Sequence, residues 1–168
     1  QPFDLATWVL EVAPVLIVLI VLWATHERFP LTPLLYALIF GHACVLMLGG
    51  HYTYARVPLG DWIREWFSLA RNPYDGIGHF MQGFVPAIAA RELLLRHTQL
   101  ERGAWLFVVV SAVALAISAL YELVEWGLSI VLAGPDADAY NGQQGDIWDA
   151  QKDMAFALLG ATLALVVL

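Results

Sequence analysis

Residues Trp105–Ala133 read WLFVVVSAVALAISALYELVEWGLSIVLA: 29 residues with no Lys, Arg, Asp or Pro and with Glu122 and Glu125 as the only charges. The hydrocarbon core of a bilayer takes about 20 apolar residues. A run this long therefore crosses the core and must tilt or protrude. At 100° per residue, Ser111, Ser118, Glu122, Glu125 and Ser129 fall on one stripe about 60° wide. Glu125 and Glu122 precede Ala133 by 8 and 11 residues, which places them about 12–16 Å inside the end of the run at 1.5 Å per residue. A carboxylate at such depth is costly, about 2.5–3.5 kcal/mol for Asp on insertion scales. Intramembrane acids are functional candidates whose partners have to be found.

The rest of the chain agrees with a membrane setting. Of its 168 residues 60% are hydrophobic and 14% charged, with seven Trp, and the mean hydropathy is +0.68; soluble domains carry roughly 25% charged residues. The net charge of −7 gives no reason to expect nucleic acid or an anionic lipid surface as the main partner. Cys44 is alone and cannot form an internal disulfide. The first apolar run has no basic leader and no small-residue cleavage site, so it reads as a span and not as a signal peptide. A chain opening on Gln1 and stopping inside an apolar run at Leu168 leaves both ends open to truncation.

Working outward, spans are expected at about Leu5–Ala24, Leu31–Gly50, Asp75–Leu95, Trp105–Ala133 and from Asp146 to the end. Between the second and third, Pro58 and Pro73 bracket Asp61-Trp62-Ile63-Arg64-Glu65-Trp66-Phe67-Ser68-Leu69. Asp61 reads as an N-cap, and Trp62, Trp66 and Leu69 share a helical face, as in a short amphipathic helix lying in the membrane interface. Gly134–Gln144 reads as a surface loop. The expected fold is all-α: a polytopic transmembrane helical bundle of about five spans plus one short interfacial amphipathic helix, in a single domain over residues 1–168. For orientation, Arg28, Arg91, Arg96 and Arg102 on one side match Arg56, Arg64, Arg71 and Lys152 on the other, and Lys and Arg tie. The short Arg-dense loop Arg91–Arg102, with most acids on the opposite side, favours placing that loop in the cytoplasm.

Five spans bring one set of ends together, and those ends hold most of the ionisable residues in or beside apolar runs. Asp75 and His79 are four apart and share a face with Gln82, Gly83, Pro86 and Ala90. In Gly145-Asp146-Ile147-Trp148-Asp149-Ala150-Gln151-Lys152-Asp153, the carboxylates of Asp146, Asp149 and Asp153 lie within about 60° on one helix face. Stacked acids repel unless something cationic sits among them. His79 and His51 can help, whereas Arg56, Arg64 and Arg71 belong to the connection outside. His42, nine residues before His51, points away from it on a regular helix and is left out. The expected neutraliser is a divalent metal, one or two ions of Mg, Mn, Fe or Zn, which suit oxygen-rich sites with few imidazoles better than copper does. The candidate ligands are His79, Glu122, Glu125, Asp146, Asp149 and Asp153, with His51 and Asp75 at the edge. Each also has a plainer reading: His51 as an interfacial hydrogen-bonder, Asp75 as a helix cap before Gly76, the acids near Asp146 as a solvated helix start.

These residues fall in motifs that resemble one family. The pieces are Gly49-Gly50-His51-Tyr52-Thr53-Tyr54-Ala55 with Val57-Pro58-Leu59-Gly60, Asn72-Pro73-Tyr74-Asp75-Gly76-Ile77-Gly78-His79-Phe80, Arg91-Glu92-Leu93-Leu94, Ser118-Ala119-Leu120-Tyr121-Glu122-Leu123-Val124-Glu125-Trp126 and Gln144–Asp153. Together they cover most of the chain from Tyr36 onward, and the sequence is similar to the YjdF-like bacterial inner-membrane proteins, a domain of unknown function. The resemblance implies a multi-pass protein of the inner membrane and supports the choice of residues, not a reaction.

Three functions fit. A metal-dependent membrane hydrolase acting on a lipid-borne substrate would use the ion to activate water or polarise a phosphoryl or acyl oxygen, with a spare carboxylate as general base. A translocator of protons or metal ions would use the same carboxylates, although no inverted repeat is evident. An accessory subunit of a larger membrane complex would need them only structurally. Membrane lipid is the expected surrounding partner, and homo-oligomer or complex formation stays open.

Overall fold

A computed structural model describes residues 1–3, 5–132 and 143–168. Residues 134–142 of the expected loop lie outside these. Among the described residues there are six α-helices and no strand: α1 Leu5–Thr25, α2 Pro33–Tyr52, α3 Pro58–Phe67, α4 Tyr74–His97, α5 Ala104–Leu132 and α6 Asp149–Val167, with a single 3-10 turn at Tyr54–Arg56 before α3. Pro33 and Pro58 stand at the starts of α2 and α3, where a missing N–H costs nothing. Ser68, left-handed at φ 51°, ends α3 with its N–H on the carbonyls of Arg64 and Glu65.

Two expectations change here. Asp61 is not the cap of α3: Val57 is, and Asp61 sits in the first turn, paired with Arg64 at 3.3 Å. Asp146 lies before α6, in a turn closed by the bond from its N–H to the Gln143 carbonyl at 2.9 Å. Because α6 begins at Asp149, Asp153 is about 6 Å inside it at 1.5 Å per residue, shallower than a helix starting at Asp146 would make it.

Among the described residues, four helices are long and apolar enough to cross a membrane: Trp8–Thr25, Pro33–Tyr52, Ala104–Val131 and Asp149–Val167. α4 is 24 residues long, but Asp75, His79, Arg91, Glu92 and Arg96 dilute its apolar character. The packing is inverted relative to a soluble protein. On α5, Leu120, Leu123 and Val131 are 63%, 61% and 79% exposed, while Ser118 is 0% and Glu125 8%. Such a surface suits lipid, and the polar stripe faces inward.

α4 is the hub, packing most extensively on α6 and also on α5 and α2, while α1 packs on α2. Glycine sets the α4–α6 distance. A Cβ on Gly83 would lie 1.8 Å from the Ala157 carbonyl oxygen, and one on Gly160 2.1 Å from that of Phe80. Backbone therefore meets backbone, with Ala157, Ala161 and Ala164 of α6 fully or almost fully buried beside it. Gly83→Val is expected to destabilise by more than the ~1–3 kcal/mol usual for overpacking, since no side chain can swing away. Gly127 has nothing within 4 Å of its Cβ position, so Gly127→Val is the control. Thermal unfolding in detergent checks the pair, and equal melting of the two variants would contradict this packing.

Candidate metal centre

The site is anchored where the chain enters α4. The Asn72 side chain donates to the Val57 carbonyl at 3.0 Å and accepts the Tyr74 N–H at 3.0 Å, and the Tyr74 hydroxyl donates to the Val45 carbonyl at 3.1 Å. Gly60 is required opposite, since its Cβ would fall 1.8 Å from Asn72 Oδ1. This pins the first turn of α4, whose next two polar residues, Asp75 and His79, are buried.

His79 is the centre of the cluster. Its Nε2 lies 3.5 Å from Asp75 Oδ1 and 4.0 Å from Asp153 Oδ2, and its Nδ1 lies 3.6 Å from Glu122 Oε1. Gln82 Oε1 is 2.8 Å from Nδ1. An amide oxygen can only accept, so Nδ1 carries a proton, and Nε2 faces Asp75 and Asp153. Glu125 completes a second group with His79 and Glu122; one ligand atom from each member of either group lies within 4.8 Å of the others. Asp75 Oδ2, Glu122 Oε1 and Asp153 Oδ1 are buried without a hydrogen-bond partner.

Charge is badly balanced there. Glu11 of α1 is 1% exposed and accepts from the Tyr121 hydroxyl at 3.0 Å, which adds a fifth carboxylate to Asp75, Glu122, Glu125 and Asp153. Among the described residues, the ion-pair partner of Asp75, Glu122 and Asp153 is His79 alone. Asp75, His79 and Asp153 present a mixed oxygen and nitrogen set, within 4.8 Å of one another, that could hold a divalent ion.

Other expected ligands lie elsewhere. Asp149 is buried but accepts a hydrogen bond from Arg71, which also donates to the Gln143 carbonyl at 3.0 Å and lies 3.6 Å from Asp146. Arg71 thus does not stay outside: it reaches from the α3–α4 connection to hold the start of α6. Asp146 accepts from Lys152 and, at 3.0 Å, from the Trp148 N–H. These two bonds hold its carboxyl below the ordinary range. For Arg71, partial burial opposes its charge, and the bond and charge of Asp149, followed by the charge of Asp146, more than offset that, raising its pKa. His51 packs its ring edge-on against Tyr52 at 4.8 Å. Among the described residues, neither group that could hold an ion includes His51, Asp146 or Asp149.

Sequence reasoning gave Glu11, Tyr121 and Gln82 no role in the site. Glu11 carried a signal as a carboxylate inside an apolar run, and Gln82 one in the helical face that it shares with Asp75 and His79. Tyr121 sets its ring edge-on to His79 with centroids 6.0 Å apart. His42, left out because it points away from His51, shares with Asp75, His79 and Glu125 the lining of a cavity of about 690 Å³ between α1, α2, α4 and α5.

The family model described as "Predicted membrane protein (DUF2238)" matches residues 1–168, and the chain belongs to that family. It is 53% identical over 165 residues to the inner membrane protein YjdF of Escherichia coli strain K12, covering 98% of this chain and 78% of that protein. No solved structure matches. The chain is an integral membrane protein.

Proposed function

We propose that this member of the family is a five-span protein of the bacterial inner membrane, with α4 as the fifth span and α3 in the interface, that binds a divalent ion between Asp75, His79 and Asp153 and hydrolyses a lipid-borne substrate. The observation that carries the reading is the pair of buried carboxylates at the imidazole of His79: Asp75 Oδ1 and Asp153 Oδ2 lie 3.5 and 4.0 Å from Nε2, and the other oxygen of each is buried without a hydrogen-bond partner. Exposed Trp62 and Trp66, at 60% and 81%, support the interfacial place of α3.

The bound ion would activate water or polarise a phosphoryl or acyl oxygen. The chain supplies everything else. Gln82 fixes the His79 tautomer by accepting from Nδ1, so that Nε2 stays available. Glu122 lies on the Nδ1 side of the ring and Tyr121 against its edge, and together they hold the imidazole in place. Glu125 lines the cavity with Asp75 and His79, where a carboxylate can take a proton from attacking water. Arg71 keeps Asp149 and Asp146 away from the centre and locks α6, and with it Asp153, against α4.

Glu125→Gln is expected to keep the ion but lower turnover by about 10²–10⁴-fold, the usual worth of a positioned base. The check is release of head group or fatty acid from vesicles of bacterial polar lipids containing the protein and Mn²⁺, with metal content measured in parallel. Equal turnover by Glu125→Gln would remove it from this role. Proton or metal-ion flux through the wild-type protein, with no lipid product, would replace hydrolysis by translocation.

A further inference from the structure

A second cavity lies toward the other end of α4, where that helix meets the start of α5 and the end of α6. Arg91, Arg102, Leu106, Phe107, Leu165 and Leu168 line it. Arg91 comes twelve residues after His79, about 18 Å along the helix, so this cavity is separate from the carboxylate cluster.

Its two cations are available to an anion. Arg91 gives Nη2 to the Leu168 carbonyl at 3.0 Å and keeps its other donors. Arg102 is exposed and, among the described residues, has no hydrogen bond or ion pair. Glu92, next to Arg91 in sequence, is taken up by Arg96 at 2.7 Å and by the Thr32 hydroxyl at 3.0 Å. Among the described residues no carboxylate lines the cavity. Guanidinium groups with spare planar N–H donors match the oxygens of a phosphate.

The position of the cavity says which phosphate. α5 is long and apolar enough to cross the membrane from Ala104, and Trp105 at its start is 74% exposed, as at a membrane interface. Arg102 lies outside that start, whereas Leu106 and Phe107 lie about 4–6 Å beyond Gly103 along the helix. Cations at head-group level above apolar side chains follow the order in which a phospholipid sets its phosphate above its chains. A free phosphate, or an acidic peptide in water, leaves the apolar half unused. Basic pockets between the ends of spans hold anionic head groups in this way. With a net charge of −7 the protein as a whole does not attract anionic lipid, so the attraction is local to this cavity.

We propose that the cavity between the ends of α4, α5 and α6 binds the phosphate of an anionic bilayer phospholipid through Arg91 and Arg102, with Leu106, Phe107 and Leu165 against the start of its chains. The site goes beyond the reading of the His79 cluster and does not depend on it.

The test is native mass spectrometry of the protein with EDTA present, so that no ion can bridge lipid to His79. Offered equal amounts of phosphatidylglycerol and phosphatidylethanolamine with the same chains, the wild type is expected to retain one phosphatidylglycerol. Arg102→Gln changes an exposed side chain and should weaken this binding by about tenfold, the worth of one charge-assisted hydrogen bond. Arg28→Gln removes the same charge from another exposed position and should bind as the wild type does. Equal binding by the two variants, or equal retention of the two lipids by the wild type, would overturn the proposal. Displacement of the lipid by an excess of inorganic phosphate would also overturn it, by assigning the cavity to a soluble anion.

Discussion

Replacing His79 with Ala is expected to abolish divalent-ion binding, with affinity falling by more than about 100-fold. His79 belongs to both groups of residues that could hold an ion, and it supplies the nitrogen that Asp75 and Asp153 face at 3.5 and 4.0 Å. Gln82→Leu offers the informative comparison. It leaves Nε2 in place but removes the oxygen that fixes the tautomer, a change worth about 10–100-fold in sites where an outer partner orients a ligating His. Equilibrium dialysis with Mn²⁺ should rank wild type above Gln82→Leu and Gln82→Leu above His79→Ala. If His79→Ala binds as well as wild type, the ion sits elsewhere.

Removing the ion is expected to cost the fold dearly. An ion present at 1,000 times its dissociation constant stabilises the native state by about 4 kcal/mol, and at this chain length each kcal/mol moves the midpoint by about 2–4 °C. A chelator should therefore lower the melting temperature of the wild-type protein by roughly 8–16 °C. Carboxylates and imidazole must shed protons to ligate, so metal affinity rises with pH. The chelator effect should accordingly be larger at pH 8 than at pH 5.5. Asp153→Asn loses a ligand and should melt at the same temperature with and without chelator. A wild-type melting curve indifferent to chelator at pH 8 would contradict the account.

How much of this could be read from the sequence depended on whether the signal was local. Spans built on long apolar runs were legible because length and hydropathy act residue by residue, and so was the inward stripe of α5, because 100° per residue puts Ser118, Glu122 and Glu125 together. Likewise the four-residue spacing of Asp75 and His79 put them on one face of α4. What was not legible depended on tertiary reach. The side chain of Arg71 spans from the α3–α4 connection to Asp149 across 78 positions of sequence, so an arginine assigned to the outside became the partner of two proposed ligands. The start of α6 was misread because Gln143, Asp146 and Trp148 form a hydrogen-bonded turn that carries acids as a helix start does. Glu11 reaches the cluster only because α1 packs where Gly50 leaves room: a Cβ there would meet that of Glu11 at 2.9 Å.

The central claim is that the acids around His79 are tolerable in a membrane because they share a cation. Anomalous scattering from crystals of the wild-type protein grown with Mn²⁺ tests it most directly. The account predicts one peak within bonding distance of Asp75, His79 Nε2 and Asp153. No peak at that position, or a peak only beside Asp146 and Asp149, would contradict it.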